Sequence, residues 1–393
     1  MSGYNYPMPI YRKDSLLTLT LGNFLSRFHH FLIGFIVAAF LSQFMSYVTL
    51  GFVIAAASAA TAISLLLMPE AFTRFGTKRV LILLALIEIV VLVGLARADN
   101  GALAGIFLAL QGMCAYNMFL GLDLLLQSHT IDAKQTGHLR GIFLASANFA
   151  VLIASLSLGL ILTDHNYRDV FYAAALSLIP FALLSIALPN ISHAPGVPLL
   201  PERGTVKEIL ARADVLPTMA AHFLLLLSFT WFNFYIPLLL YVHNAFSWQT
   251  TALIITISLL PSILIEYPLG VVADMFFGEK EISMLGFLLM AGGTIGYAFA
   301  GSSVSWWIIV VLIAGIGESS VEIATESHFF KRVSVEDAGI IGAFRMLRPL
   351  AAIVGPLIAS IALLLVPFNM IFVVFGTILC LGIPLIHVIV DTK

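Results

Sequence analysis

Twelve runs of about 20 predominantly apolar residues divide this chain, and a run of that length crosses the roughly 30 Å hydrocarbon core of a bilayer. They lie near 15–42, 48–68, 80–96, 102–128, 139–162 and 170–188, and again near 218–242, 250–272, 282–300, 305–328, 339–365 and 368–390. Hydrocarbon offers the backbone no water, so each run must close its own hydrogen bonds as a helix. The expectation is an all-α polytopic membrane protein of about twelve transmembrane helices in two six-helix pseudo-repeats. The first bundle covers 1–188, a cytoplasmic linker 189–217, and the second bundle 218–393. Only 10% of residues are charged and the mean hydropathy is +1.04, whereas soluble domains carry about 25% charged residues.

The duplication is visible in the letters. Leu122-Asp123-Leu124-Leu125-Leu126-Gln127-Ser128-His129 ends the fourth run, and Val321-Glu322-Ile323-Ala324-Thr325-Glu326-Ser327-His328 ends the tenth. An acid inside an apolar span costs about 2.5 to 3.5 kcal/mol on insertion scales, so matched acids point to two related bundles. That is the architecture of secondary transporters, whose substrate sits between the repeats.

Basic residues set orientation when they lie in short loops. Arg12, Lys13, Arg74, Lys78, Arg79, Lys134, Arg140, Arg203, Lys207, Arg212, Lys280, Lys331, Arg332 and Lys393 fall on one side, and only Arg97 and Arg168 on the other. Both termini are therefore expected in the cytoplasm, with the chain in the plasma (inner) membrane. The first run is too long for a signal-peptide core and no small-residue cleavage pattern follows it, so it stays as a helix. In the linker, Lys207, Glu208, Arg212 and Asp214 alternate in sign, the mark of a short helix at the membrane surface.

Other classes are disfavoured. The remaining loops leave no room for a soluble catalytic domain. No nucleophile stands beside a base, and His29-His30 has neither the i, i+4 metal spacing nor an adjacent acid, so no enzymatic activity, metal or cofactor is expected. Cys114 and Cys380 lie within spans and read as small hydrophobes. With a net charge of -2 and no basic tract, nucleic acid is not an expected partner; membrane lipids and a small-molecule substrate are.

Three stretches resemble the major facilitator superfamily. Pro69-Glu70-Ala71-Phe72-Thr73-Arg74-Phe75-Gly76-Thr77-Lys78-Arg79 is similar to the family's signature loop between helices two and three. Gly270-Val271-Val272-Ala273-Asp274, with Gly278 and Lys280, is similar to its second-half copy. Tyr167-Arg168-Asp169-Val170-Phe171 resembles the entry to helix six. Pro69 and Thr73 depart from the usual glycine and aspartate, and Leu108 stands where the fourth-helix motif carries an arginine. Gly355-Pro356 lies in the eleventh span rather than the fifth. The resemblance therefore implies the fold more than drug export.

It also implies that helices one, four, seven and ten line a central cavity. Asn23, Arg27 and His30, at i, i+4 and i+7, form one polar stripe on the first span and would face the substrate. Asn117 on the fourth span, Thr230 and Asn233 on the seventh, and Glu318 on the tenth complete the expected binding set. Read as an antiparallel hairpin, the tenth and eleventh spans place Glu318 level with Arg348 and Glu322 level with Arg345. Such a ladder either locks two helices or opens and re-forms as the halves rock. Asp123, Glu266, Asp274, Glu322, Arg345 and Arg348 are the expected coupling and gating residues. Glu88 lies in a span that is peripheral in the resembled fold, and the sequence offers no account of it.

The function these features support is secondary active transport of a small polar or anionic solute by alternating access, with H+ as candidate coupling ion. A mover of lipids, amphiphiles or drugs, and a non-transporting membrane sensor of the same fold, are the alternatives.

Overall fold

The computed structural model describes residues 13–129, 133–162, 166–189, 205–265, 268–269, 278–333, 337–389 and 391. Ten helices among them are long and apolar enough to cross a membrane. They are α1 (Leu16–Leu41), α2 (Tyr47–Phe75), α3 (Thr77–Arg97), α4 (Gly101–Gln127), α5 (Gly141–Ile161), α6 (Tyr167–Ala187), α7 (Leu216–His243), α10 (Val304–Arg332), α11 (Gly339–Leu363) and α12 (Phe368–His387). The shorter apolar helix α8 (Trp248–Leu264) and the 19-residue α9 (Glu279–Tyr297) bring the total to twelve. Of the linker, 190–204 lies outside the described residues, and Thr205–Ala211 is a short helix.

Local sequence sets the breaks. Gly76 adopts a left-handed φ of 83° between α2 and α3, a conformation other residues seldom take. Ser46 and Ser247 cap α2 and α8 alike: each Oγ accepts the N–H of the threonine three residues on, Thr49 and Thr250, at 3.2 Å. These caps satisfy donors that a helix start leaves bare. After Pro237 the backbone of α7 widens into a π turn over Leu239–His243.

α1 packs on α5 and α6, α3 on α4 and α6, and α9 on α10 and α12. Between the first six helices and the last six, α2 meets α11 and α5 meets α8, two contacts that a twofold repeat would exchange. Among the described residues, inter-half hydrogen bonds and ring contacts gather toward one end. Ser360 Oγ donates to Val48 O at 2.9 Å, and Ser155 and Thr256 hydroxyls meet at 2.9 Å. The Tyr47 ring sits against His243 and Phe368, and Tyr167 against Trp248. Outward-facing Leu67, Val90, Leu160 and Leu365 are 70%, 69%, 84% and 80% exposed, a surface that only lipid covers without cost. The protein is a multi-pass membrane protein.

Candidate functional site

A cavity of about 270 Å³ lies between the halves. From the first half it is lined by Arg27, His30, Phe31 and Gly34 of α1, Ile54, Ser58 and Thr61 of α2, and Gln111, Tyr116 and Phe119 of α4. From the second half come Phe229, Thr230, Asn233 and Phe234 of α7 and Arg345, Arg348 and Pro349 of α11. Arg345 lies about two turns from the start of α11, lines the cavity and is exposed, so the cavity opens toward that end. The opposite end carries the Tyr47, His243 and Phe368 contacts and is closed.

Backbone irregularity falls at this site. α1 breaks into a turn at Phe35–Ile36 and resumes at Val37, and Gly34 and Val37, on either side of the break, line the cavity. Proline supplies no N–H to the carbonyl four residues earlier. Pro237 and Pro349 therefore each withhold a helical donor from a lining residue, Asn233 and Arg345. Non-helical backbone groups at membrane depth are tolerated where they border a cavity.

The electrostatics are one-sided. Arg27 lays its guanidinium carbon 3.7 Å from the Phe119 ring centroid, a cation–π arrangement, while its buried Nε has no hydrogen-bond partner. Arg348 faces the same cavity from α11. Three guanidinium groups line the cavity, and no carboxylate among the described residues does.

The structure brings Arg27, His30, Thr230 and Asn233 together as lining residues and places the other expected binding residues elsewhere. Asn23 Nδ2 donates to Phe143 O at 2.8 Å and Ser146 Oγ at 2.9 Å, tying α1 to α5. Asn117 Nδ2 donates to Ser64 Oγ at 2.8 Å and Met113 O at 2.7 Å, tying α4 to α2. Glu318 Oε1 accepts Ser228 Oγ at 2.6 Å, between α10 and α7, away from the lining.

The expected ladder is not closed. No ion pair joins Glu318 to Arg348 or Glu322 to Arg345 among the described residues, and both arginines turn to the cavity instead. Correspondingly α2 and α11 supply the walls that the resemblance assigned to α10. Asp123 Oδ2 accepts Gln127 Nε2 at 2.7 Å. Glu266 and Asp274 lie outside the described residues. Ser58, Thr61 and Gln111 were not anticipated, although Ser58 and Thr61 form an i, i+3 polar pair on an apolar helix. That is the signal that marks α1.

The sequence pattern of the Major Facilitator Superfamily matches residues 19–251 and 218–392. No curated protein matches the chain. Among solved structures, the nucleoside transporter NupG superposes with a TM-score of 0.76 at 13% identity, covering 95% of this chain and 98% of that one. A D-xylose-proton symporter gives 0.73 at 18%, covering 96% and 98%. The human organic anion transporter MFSD10 gives 0.63 at 13%, covering 95% and 99%. At these identities the likeness is one of fold, and the family pattern spans nearly the whole chain. The chain belongs to the major facilitator superfamily.

Proposed function

We propose that this protein is a secondary active transporter of a small organic anion, with a proton as its coupling ion. The halves 1–188 and 218–393 would rock about the cavity in the plasma membrane, with both termini in the cytoplasm. The observation that carries the reading is the charge of the cavity: Arg27 from one half and Arg345 and Arg348 from the other, with no lining acid among the described residues. Arginine stays charged at physiological pH, and its planar fork matches carboxylate and phosphate. Guanidinium groups facing a cavity from both halves suit an anion that both halves grip. Phe31, Tyr116, Phe119, Phe229 and Phe234 supply the apolar remainder, the usual composition of a small-molecule site.

Thermal unfolding of the purified protein against benzoate, succinate and glucose 6-phosphate tests this, with xylose and thymidine as neutral controls. A ligand at 100 times its Kd adds about 2.7 kcal/mol to the native state. The expected result is stabilisation by one or more of the anions alone, lost in Arg27→Gln and Arg348→Gln. Stabilisation by a neutral solute that survives both substitutions contradicts the reading.

A further inference from the structure

Behind the cavity wall stands a buried pair that the binding set does not use. His29 Nε2 of α1 lies 2.9 Å from Glu88 Oε1 of α3, and both side chains are 0% exposed. Gln111 Nε2 of α4 donates to the same Oε1 at 3.1 Å and lies 3.4 Å from His30 Nδ1. His29 Nδ1 is 3.3 Å from Leu25 O. Glu88 Oε2, buried, has no hydrogen-bond partner. Gln111 and His30 are themselves lining residues, so one amide links the pair to the substrate space.

The chemistry of the pair is that of a group holding a single proton. Leu25 O can only accept, which assigns a proton to His29 Nδ1; the short Nε2 to Oε1 contact then needs a second proton between them, as imidazolium with carboxylate or imidazole with carboxylic acid. Both states are neutral overall. Removing the proton leaves a net negative charge midway along a membrane helix, where unpaired charge is expensive, and sets a nitrogen lone pair against an oxygen. The titratable or charged groups facing the pair are few. They are His30 and Arg27 on α1 and Cys114 on α4, with Tyr116 edge-on to His30. α2, which packs on α3, carries Tyr47, Glu70 and Arg74 near its ends, and α6, which packs on α1 and α3, holds Tyr167, Arg168 and Asp169 in its first turn, while its Tyr172 is 40% exposed. α5, packed on α1, has no titratable side chain over 141–161.

We propose that His29 and Glu88 form the proton-binding site of this transporter, read out at the cavity through Gln111 and His30. One proton adds to the Nε2–Oε1 hydrogen bond and changes the pair from -1 to neutral. An anion in the cavity attracts that proton, and by linkage the bound proton attracts the anion by the same factor, so the two move together. The coupling to an anion rests on the proposed function; the proton site itself does not. Gln111 acts as a positioning residue, fixing the carboxylate orientation.

Infrared difference spectroscopy of the full-length protein in lipid, scanned from pH 5 to 9, tests the site without any substrate. The expected result is a carboxyl and imidazole signal titrating as one proton, absent from Glu88→Gln and from His29→Gln. Gln111→Leu removes a donor that favours the carboxylate, so its midpoint should move up, and this variant keeps the pair if either Gln substitution fails to fold. Arg27→Gln removes a nearby positive charge and should also raise the midpoint, imitating a bound anion. Absence of a titrating signal in the wild type overturns the proposal, as does a signal that persists in Glu88→Gln or is unmoved in Gln111→Leu. A midpoint unmoved by Arg27→Gln overturns the coupling. Failure of benzoate, succinate and glucose 6-phosphate to stabilise the protein, with this titration intact, would remove the anion reading alone.

Discussion

At the scale of single residues, Arg27 shows how a charge is held at membrane depth without being neutralised. Its guanidinium rests on Phe119, and a cation–π contact of this kind is worth about 0.5 to 2 kcal/mol. Phe119→Leu should therefore lower the unfolding free energy by about that amount, read from a denaturation series. Arg348→Lys keeps the charge and loses the fork, so anion affinity should fall about tenfold, or about 1.4 kcal/mol, measured by titration calorimetry. Helical spacing put Arg27 and His30 on one face, since i, i+4 and i+7 positions coincide, and the family resemblance turned that face to the cavity. The spacing also selected Asn23, which that same face carries to Phe143 and Ser146 of α5. The expected Glu318–Arg348 pair failed for a definite reason. Equal register fixes depth but not direction, and α11 packs on α2 and α7, which turns its arginines to the cavity. Glu88 was visible in the sequence, but its partners are 59 and 23 positions away, and no local pattern announces a pairing of that kind.

Between elements, the α2–α11 contact closes one end of the molecule and depends on Gly51. A Cβ there would meet Ser360 Oγ, the Pro356 carbonyl at 2.7 Å and Tyr235 Oη at 3.0 Å. Gly51→Val should pry that end apart. In a Cys380→Ser background, cross-linking between cysteines placed at Tyr47 and Phe368 should drop several-fold, and an unchanged yield would show that the closure does not rest on this contact. At the other end, the linker helix is fastened by Arg212. Its Nε and Nη2 donate to Asp214 Oδ1 and Oδ2 at 2.9 and 3.0 Å, and Nη2 also donates to Arg332 O at 2.8 Å.

The Arg212 hydrogen bonds hold the Asp214 carboxyl below its ordinary value. Its contribution is therefore present above the ordinary carboxylate range and lost as pH falls through the lowered value. The pair is about a third exposed, so solvent limits it to less than about 1 kcal/mol. Amide protection factors over 205–219 should fall by up to about fivefold as pH drops below about 4 in the wild type and stay at the lower level at every pH in Arg212→Gln. The caps on α2 and α8 were equally legible as a pattern, since Ser-aromatic-x-Thr occurs at 46–49 and 247–250. Their aromatic residues, Tyr47 and Trp248, went unrecognised as inter-half contacts because pairing across halves is a tertiary fact.

For the whole molecule, run length alone defined twelve helices, because a bilayer demands a closed backbone ladder over a fixed thickness. The weakest of these expectations were α8, which is short, and α9, which opens with Glu279, Lys280 and Glu281. The charge of the cavity could not be read so simply. It depends on which faces of α1 and α11 meet across the interface, and that follows from the packing of α11 on α2. The resulting site belongs to neither half alone: Arg27 lies on one side, Arg345 and Arg348 on the other, and the end beyond Tyr47 is sealed.

Solute counterflow in proteoliposomes shows whether both halves grip an anion. Vesicles loaded with an unlabelled anion that stabilises the protein are diluted into a trace of the labelled one. Transient accumulation is expected for the wild type and none for folded Arg27→Gln or Arg348→Gln. Undiminished accumulation in both variants, or counterflow of xylose or thymidine in place of the anion, would contradict a grip shared by both halves.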